Sequence, residues 1–458
     1  MAQIQGTREN IYPLLVGTLL VGVFSILVLT TDMVLVARLL LILCSVIFLL
    51  RRPELSLAIQ LNGIALYLYA IYKFNIETGT FVTGAFYGVM AGSYLIGGWV
   101  ARRRDHRLDF HLVDRLFALL YSYFFVSYLL WSQDNQLAYR KVIYAPALVI
   151  APYIGVRLIS STEKIDQFLR YVAAMSIIMI IPSFYELWTN PLYQDYGRFS
   201  IYIFEDKGDN PIQFGIAYAL LLIVVIFRIA RQRKIQLVDL LIIIPAAFLL
   251  IRSGARGPVI SLIVTFFIYI IWLGHIRRRI KLAVVLGGAI FLIFAYAVIP
   301  DATVRFYQVL FDPTVSPTQN ASANSIQERI LLINLAVDDF LQHPIIGVGT
   351  GNSSGGVGYP HNSIIEVAAE LGLVGVTIFL LLQGVVVATA YRTIRRVKGT
   401  SGELIMATAF AIYIFAFIES QFSGYMGGDM LLYVSIGLVA AASQLLSPRP
   451  EPERAQGG

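Results

Sequence analysis

The sequence predicts an all-α fold, a polytopic transmembrane helix bundle with about 12 to 14 spans. Three observations predict this fold class. Hydrophobic residues make up 57% of the 458 positions and charged residues only 14%, whereas soluble domains are about half apolar and a quarter charged. The apolar residues are gathered in runs of about 20, the length that crosses the hydrocarbon core of a bilayer. Short basic clusters separate these runs, which is the pattern that orients a membrane protein.

The same composition excludes several classes of site. The one cysteine, Cys44, lies inside an apolar run, so neither a disulfide nor a cysteine-based metal site is expected. The net charge of +7 is divided among short clusters and forms no single basic patch, so no nucleic-acid partner is expected. The first apolar stretch, residues 11–30, is too long for the core of a cleavable signal peptide.

The candidate spans alternate between the two sides of the membrane. A cytoplasmic N-terminus places every strong basic cluster on the cytoplasmic side, as the positive-inside rule requires. Residues 1–458 are then one transmembrane domain, and residues 447–458 are a polar, proline-rich cytoplasmic tail that is expected to be disordered. The span centres lie near Val21, Ile42, Ala65, Ala91, Tyr123, Val149, Ile177, Leu222, Ile243, Thr265, Ile290, Phe379, Ile412 and Leu438.

This orientation gives the outer face one long loop, residues 301–361. A capping box from Ser325 to Glu328, followed by apolar residues at helical spacing as far as Gln342, predicts an amphipathic helix within the loop. The helix is expected to lie on the membrane surface or on the helix bundle. Arg329 flanks its apolar stripe. It is either a snorkelling cation or a charge with a function.

The end of this loop contains a glycine-rich segment and a histidine. Residues 347–358 lack the preceding strand and the following Lys-Ser/Thr of a nucleotide-binding loop, so we expect a flexible backbone that approaches a ligand. A second capping box, Ser363 to Glu366, predicts a helix that begins at Ser363. His361 then lies beside a helix N-terminus, which favours a neutral imidazole able to accept a proton. The alternative is a loop histidine that only bonds backbone.

Arginines occur at two further places on the predicted outer face. Arg252 and Arg256 interrupt an apolar stretch, and Arg198 precedes a helix start predicted at Asn210. Arginine forks suit phosphate groups. Together with His361 they point to transfer chemistry on a phosphate-bearing lipid. The alternative is arginines at the level of the lipid headgroups.

Four of these stretches resemble the O-antigen ligase and polymerase superfamily of bacterial membrane glycosyltransferases. They are Arg198 with Asn-Pro-Ile-Gln-Phe-Gly at 210–215, Arg-Ser-Gly-Ala-Arg-Gly at 252–257, Arg329 with Phe-Leu-Gln-His-Pro-Ile-Ile-Gly-Val-Gly at 340–349, and Tyr-Pro-His-Asn-Ser-Ile-Ile-Glu at 359–366 with Glu-Leu-Gly-Leu-Val-Gly at 370–375. The resemblance covers roughly the C-terminal half of the chain.

The resemblance implies a multi-pass protein of the bacterial inner membrane with cytoplasmic termini and a periplasmic active site. Its donor would be an undecaprenyl-pyrophosphate-linked glycan, and neither a metal nor another cofactor is expected. His361 would orient or deprotonate the acceptor hydroxyl, which attacks with inversion. Arg198 and Arg329, with Arg252 or Arg256, would bind the donor pyrophosphate. The supporting residues would be Tyr359, Asn362 and Glu366.

Three functions remain open at this point. A polymerase accepts another lipid-linked repeat unit, and a chain-length regulator is a candidate partner for it. A ligase accepts lipid A–core. The form of the motif around His361 and the number of spans favour the polymerase. A transporter of lipid-linked glycans or anions is the alternative of another class, but it predicts intramembrane charges in two matching halves, and the sequence has no internal repeat.

Overall fold

The computed structural model describes residues 45–63, 69, 80–103, 110–133, 135–189, 211–232, 234–272, 321–356 and 358–447. Within these ranges the chain forms helices and no strand, so the predicted all-α fold class is confirmed. A π-helical turn (Pro146–Ile150) joins α4 to α5, and a 3-10 turn (Ser353–Gly356) lies between α10 and α11. The α-helices are α1 (Pro53–Asn62), α2 (Thr80–Arg103), α3 (Leu112–Trp131), α4 (Gln136–Ala145), α5 (Ala151–Arg157), α6 (Thr162–Thr189), α7 (Pro211–Gln232), α8 (Leu237–Arg252), α9 (Arg256–Trp272), α10 (Ala321–Gln342), α11 (Ser363–Arg396), α12 (Ser401–Glu419) and α13 (Met430–Leu445).

Five of the described helices, α3, α6, α7, α11 and α12, are long and apolar enough to cross a membrane. A helix satisfies its own backbone hydrogen bonds, which is why apolar runs of this length are helical in hydrocarbon. Every predicted span centre that falls in the described residues lies in a helix, either an α-helix or the π-helical turn. The predicted centres outside those residues are Val21, Ile42, Ala65 and Ile290. The tail beyond Ser447 also lies outside them.

Basic residues at several helix ends meet on one face of the bundle. This face is called the opposite face below, because the helix ends near His361 form the other face. Arg157 at the end of α5 donates to Asp114 at the start of α3 from Nε (2.8 Å) and Nη2 (3.0 Å). Arg157 and Arg102 of α2 both donate to Oε1 of Gln444 in α13, at 3.1 and 3.3 Å. Further ion pairs of this face are Lys164–Glu54, Arg231–Asp166 and Arg228–Asp239. The basic clusters of the described spans therefore share one side, as the alternation predicts.

The other helix ends form a second face, called the His361 face. Ser363 at the start of α11 donates from its backbone N and from Oγ to the carbonyl oxygen of Ser420, just after α12, at 3.1 Å each. Ser132, just after α3, donates from Oγ to the carbonyl oxygen of Thr350 at 2.6 Å. The loop after α10 therefore lies across the ends of several spans rather than away from them.

Helix α11 is broken at Gly372, where the chain between α10 and the 3-10 turn crosses it. Gly372 has φ 62° and ψ −162°. The break frees backbone groups, and the crossing chain binds them: Leu373 N donates to Pro344 O (2.8 Å) and Val348 N to Ala369 O (2.9 Å). A Cβ at Gly372 would overlap the carbonyl group of Ile345. The non-helical backbone within α11 is thus tolerated, because other backbone groups of the protein form hydrogen bonds with its N–H and C=O groups.

The predicted helix in the long loop is present as α10, but its predicted start was wrong. It begins at Ala321, so Ser325 lies inside it rather than at its N-cap. On the predicted apolar stripe, Ile330 and Val337 are exposed and Ile333 and Phe340 are half-buried, whereas the neighbouring Leu332 and Ala336 are buried. The buried face lies beside the predicted one because α10 packs against α11 and the 3-10 turn. Residues 301–320 of the predicted loop lie outside the described part.

Candidate functional site

His361 lies directly before the N-cap of α11. The helix begins at Ser363 as predicted, but its N-cap is Asn362, whose Oδ1 accepts a hydrogen bond from Ile365 N at 3.0 Å. Asn362 also donates from Nδ2 to the carbonyl oxygen of Gln421 at 3.3 Å. His361 itself has φ 55°, in the left-handed region that non-glycine residues rarely adopt. Such strain is kept only where the surroundings fix the conformation.

The imidazole of His361 is held as a neutral base. It is half-buried, and its Nδ1 is buried without a hydrogen-bond partner among the described residues. Burial, and then the positive charge of Arg329, lower the pKa of His361 to about 4. The predicted neutral imidazole therefore agrees with the electrostatics of the site, although burial and a cation cause the shift rather than the helix N-terminus that the sequence suggested.

Arg329 connects α10 to the loop between α12 and α13, residues 420–429. Its Nη1 donates to the carbonyl oxygen of Phe422 at 3.0 Å, and the side chain is half-buried. The guanidinium is close enough to lower the pKa of His361. Arg329 therefore points into the His361 face rather than snorkelling to water along the apolar side of α10.

The turn with Arg252 and Arg256 joins α8 to α9 on the same face. Ser253 Oγ donates to Leu250 O at 2.6 Å, and Gly254 takes φ 63°, so the helices are joined by a tight turn with an arginine at each end. Both arginines are half-buried.

Glu419, at the end of α12, connects this turn to loop 420–429. Its carboxylate accepts hydrogen bonds from Ser423 Oγ (2.6 Å) and from Ser261 Oγ of α9 (3.1 Å). A Cβ at Gly257 would lie 2.8 Å from Glu419 Oε1, so the first turn of α9 packs directly on this carboxylate. A carboxylate beside a helix N-terminus is favourable. Arg256, one residue before Gly257, is thereby placed on the side of the bundle where Arg329 meets Phe422.

The ring of Tyr359 packs at an angle against the ring of His361 and against that of Tyr425, a residue that sequence reasoning missed. Its ring centroid lies 4.3 Å from that of His361 and 4.8 Å from that of Tyr425. Tyr425 belongs to the polar, glycine-rich stretch 419–429 between two apolar spans. The alternation of spans across the membrane places this stretch on the outer face. Its polar, glycine-rich composition and this placement together could have identified Tyr425 as a candidate site residue.

Glu366 has a different partner from the one its capping box predicts. It is fully buried, one oxygen pairs with Nζ of Lys141 in α4, and the other accepts from Met426 N at 2.8 Å. Lys141 also pairs with Glu370, one helical turn further along α11. Lys141 follows Arg140 before an apolar span, and a lysine at such a position carries no signal for its partner, so sequence reasoning missed it.

The glycine-rich segment packs closely against other parts of the protein. Thr350 N donates to Ser127 Oγ at 3.1 Å, and Thr350 Oγ1 donates to Phe124 O at 2.9 Å. A Cβ at Gly351 would overlap the backbone of Ala138 in α4. The glycines allow this segment to pack directly on the end of α3 and the start of α4. The segment therefore forms part of the His361 face.

The structure thus brings Arg252, Arg256, Arg329, Tyr359, His361 and Asn362 to one face of the bundle. Arg198 and Asn210 lie outside the described residues. Among the residues that the structure describes, no group of three or more His, Cys, Asp or Glu side chains could hold a metal ion.

Residues 240–380 match the family model described as O-antigen ligase. The matched residues begin in α8 and end in α11, so they include the turn with Arg252 and Arg256 as well as Arg329 and His361. This match confirms the resemblance to the O-antigen ligase and polymerase superfamily. It indicates a membrane enzyme of the glycan ligase or polymerase kind. No curated protein matches the chain.

Proposed function

We propose that this protein transfers a glycan from undecaprenyl pyrophosphate to a sugar hydroxyl on its His361 face, and that it polymerises lipid-linked repeat units in this way. The observation that carries the proposal is His361 itself. Its imidazole is neutral, its Nδ1 is unpartnered among the described residues, and the Arg329 guanidinium is close by. A neutral base beside a fixed cation suits an acceptor hydroxyl and an anionic leaving group.

The reaction exchanges one bond at the anomeric carbon of the donor. The acceptor oxygen attacks that carbon from the side opposite the pyrophosphate, the new C–O bond forms with inversion, and the bond to the pyrophosphate oxygen breaks. His361 accepts the proton of the acceptor hydroxyl. The developing negative charge on the departing pyrophosphate is stabilised by guanidinium groups, which form bidentate hydrogen bonds with phosphate oxygens. The arginines assigned to this role are Arg198, Arg329 and Arg252 or Arg256.

The supporting residues act on His361 rather than on the substrates. Asn362 caps α11 and ties it to Gln421 in loop 420–429. Tyr359 packs its ring against the imidazole. Glu366 binds the backbone N of Met426, so it connects the first turn of α11 to the same loop. These contacts support the position of the backbone and ring of His361, and a general base needs such positioning.

The proposed location is a bacterial inner membrane, with both termini cytoplasmic and the His361 face periplasmic. The basic clusters on the opposite face support this orientation, since lysine and arginine are enriched in cytoplasmic loops. The donor is a membrane lipid, so a site at the end of the spans suits its headgroup. A chain-length regulator remains a candidate partner.

A second candidate, a ligase that transfers the glycan to lipid A–core, is favoured by the description of the matching family model. Deletion of the gene separates the two in a host that makes lipopolysaccharide. Loss of a polymerase leaves core capped with a single repeat unit. Loss of a ligase leaves bare core while lipid-linked polymer accumulates.

The test of the proposed function is His361→Ala, with His343→Ala as the matched control. His343 is an exposed histidine just after α10. Its backbone N donates to Asp339 O, and its carbonyl oxygen accepts from Gly347 N. Loss of a general base lowers the transfer rate by about 10²- to 10⁴-fold. We expect that loss for His361→Ala at normal protein level in the membrane, and wild-type transfer for His343→Ala. Wild-type transfer by His361→Ala would overturn the proposal, and so would transport of the donor without any new glycosidic bond.

A further inference from the structure

Lys141 is a buried cation that the proposed reaction does not use. Its side chain has no solvent exposure, and neither do those of its two partners, Glu366 and Glu370. Glu370 also accepts a hydrogen bond from Ser353 Oγ at 2.8 Å, and its Oε2 has no partner within the described ranges. One lysine therefore lies between two carboxylates, and all three side chains are out of contact with bulk solvent. Such a cluster is kept only where its geometry is useful or where no apolar alternative has been selected.

The position of Lys141 suggests what that geometry does. Lys141 belongs to α4, while both carboxylates belong to the first two turns of α11, which begins two residues after His361. Glu366 also accepts from Met426 N at 2.8 Å. A Cβ at Gly427 would lie 2.9 Å from the Cα of Lys141, so loop 420–429 lies directly on α4 at this residue. Three separate segments thus meet at Lys141 and the carboxylate of Glu366.

Two of those segments carry the rings of the site. Tyr359 and His361 precede α11, and Tyr425 lies in loop 420–429, next to Met426. The contact of Arg329 with Phe422 depends on the same loop. If the start of α11 moves relative to the loop, the distance between the imidazole and the guanidinium changes. A displacement of about 1 Å at a catalytic group costs up to about 100-fold in rate.

We propose that Lys141 is a positioning residue for glycan transfer, which holds the start of α11 and loop 420–429 together through Glu366 and Glu370. This inference rests on the proposed function. Lys141 touches neither donor nor acceptor. It acts through the two carboxylates on the placement of Tyr359 and His361 relative to Tyr425 and Arg329.

The first experiment compares Lys141→Met with Arg140→Met, a change of the neighbouring exposed cation. We expect Lys141→Met to lower kcat by about tenfold to 100-fold. The KM for the lipid-linked donor should change less than kcat, because all the assigned donor-binding arginines remain, even though the contact of Arg329 with the loop is altered. Lys141→Arg should recover part of kcat, and Arg140→Met should match wild type. Wild-type kcat in Lys141→Met would overturn the proposal.

A second variant keeps the test decisive where Lys141→Met fails to fold, since that change leaves two buried carboxylates without a cation. The combined variant Lys141→Met, Glu366→Gln and Glu370→Gln removes all three charges and retains the side-chain volumes. We expect it to fold and still to show the lowered kcat, because the bridge is gone. Wild-type kcat in the combined variant would mean that Lys141 only neutralises the carboxylates.

A third measurement does not depend on activity. Cysteines at Asn362 and Gln421, in a Cys44→Ser background, report the contact between the start of α11 and loop 420–429. An added oxidant should join them readily in the wild-type background and poorly with Lys141→Met, seen as a shift in gel mobility. Equal cross-linking in both would overturn the positioning role. If the wild-type protein forms no glycosidic bond at all, the proposed function fails, and cross-linking still decides the role of Lys141.

Discussion

Gly372→Ala tests the crossing of α11 by the chain that follows α10. The residue has φ 62° and ψ −162°, a conformation that is almost restricted to glycine. An alanine there is strained by about 1–3 kcal/mol. Its Cβ would also overlap the carbonyl group of Ile345, so the crossing chain must move.

That movement breaks backbone hydrogen bonds between the two segments. Leu373 N donates to Pro344 O at 2.8 Å, and Val348 N donates to Ala369 O at 2.9 Å. Each buried bond contributes about 1 kcal/mol net. Adding the loss of these two to the strain gives a destabilisation of about 3–5 kcal/mol.

The assay is denaturant unfolding of the purified protein in detergent micelles, with Gly384→Ala as the matched control. Gly384 lies in the regular part of the same helix, and a Cβ there would meet no atom within 4 Å. Its replacement should be neutral or stabilising by up to about 1 kcal/mol, because alanine favours the helix. The reasoning is refuted if Gly372→Ala unfolds within about 1 kcal/mol of wild type, a difference no larger than an ordinary surface change.

Two further predictions concern charge. With the pKa of His361 lowered to about 4, the base stays neutral down to that pH, so the kcat/KM of the wild-type protein should fall only below about pH 5. Arg329→Gln removes a cation and raises the pKa of His361, so the pH at which kcat/KM falls should be higher in this variant. A fall of kcat/KM near pH 6.5 in both proteins would contradict the assignment of His361 as the base. Asp114→Asn leaves buried Arg157 without its carboxylate and should destabilise the fold by about 3–5 kcal/mol. Because the pair lies on the opposite face, transfer per folded molecule should stay at the wild-type level, while exposed Glu163→Gln serves as the control for unfolding.

The helical character of this protein follows from sequence alone. Apolar runs of span length must be helical in a bilayer, since no water is present to bind their backbone groups. The alternation of basic clusters then determines which helix ends share a face. Both inferences use periodicity and charge, which are local properties. For the same reason the sequence correctly identified the start of α11 and the position of His361 beside it.

The partners of individual polar side chains were decided by the tertiary structure. Glu366 fits a capping box as well as it fits an ion pair, and only the folded chain brings Lys141 of α4 to it as a partner. Burial and the charge of Arg329, a residue distant from His361 in the chain, lower the pKa of His361, and both arise only in the folded protein.

The sequence by itself therefore determined the class of fold, and it predicted the two faces and most of the residues proposed for the candidate site. The tertiary structure decided which backbone satisfies the break at Gly372, which face of α10 is buried and which residues hold His361 in place. The physical reason is the range of the interactions. Hydropathy and capping act within a few residues, whereas a buried polar group takes whichever partner the folded chain brings within hydrogen-bonding distance.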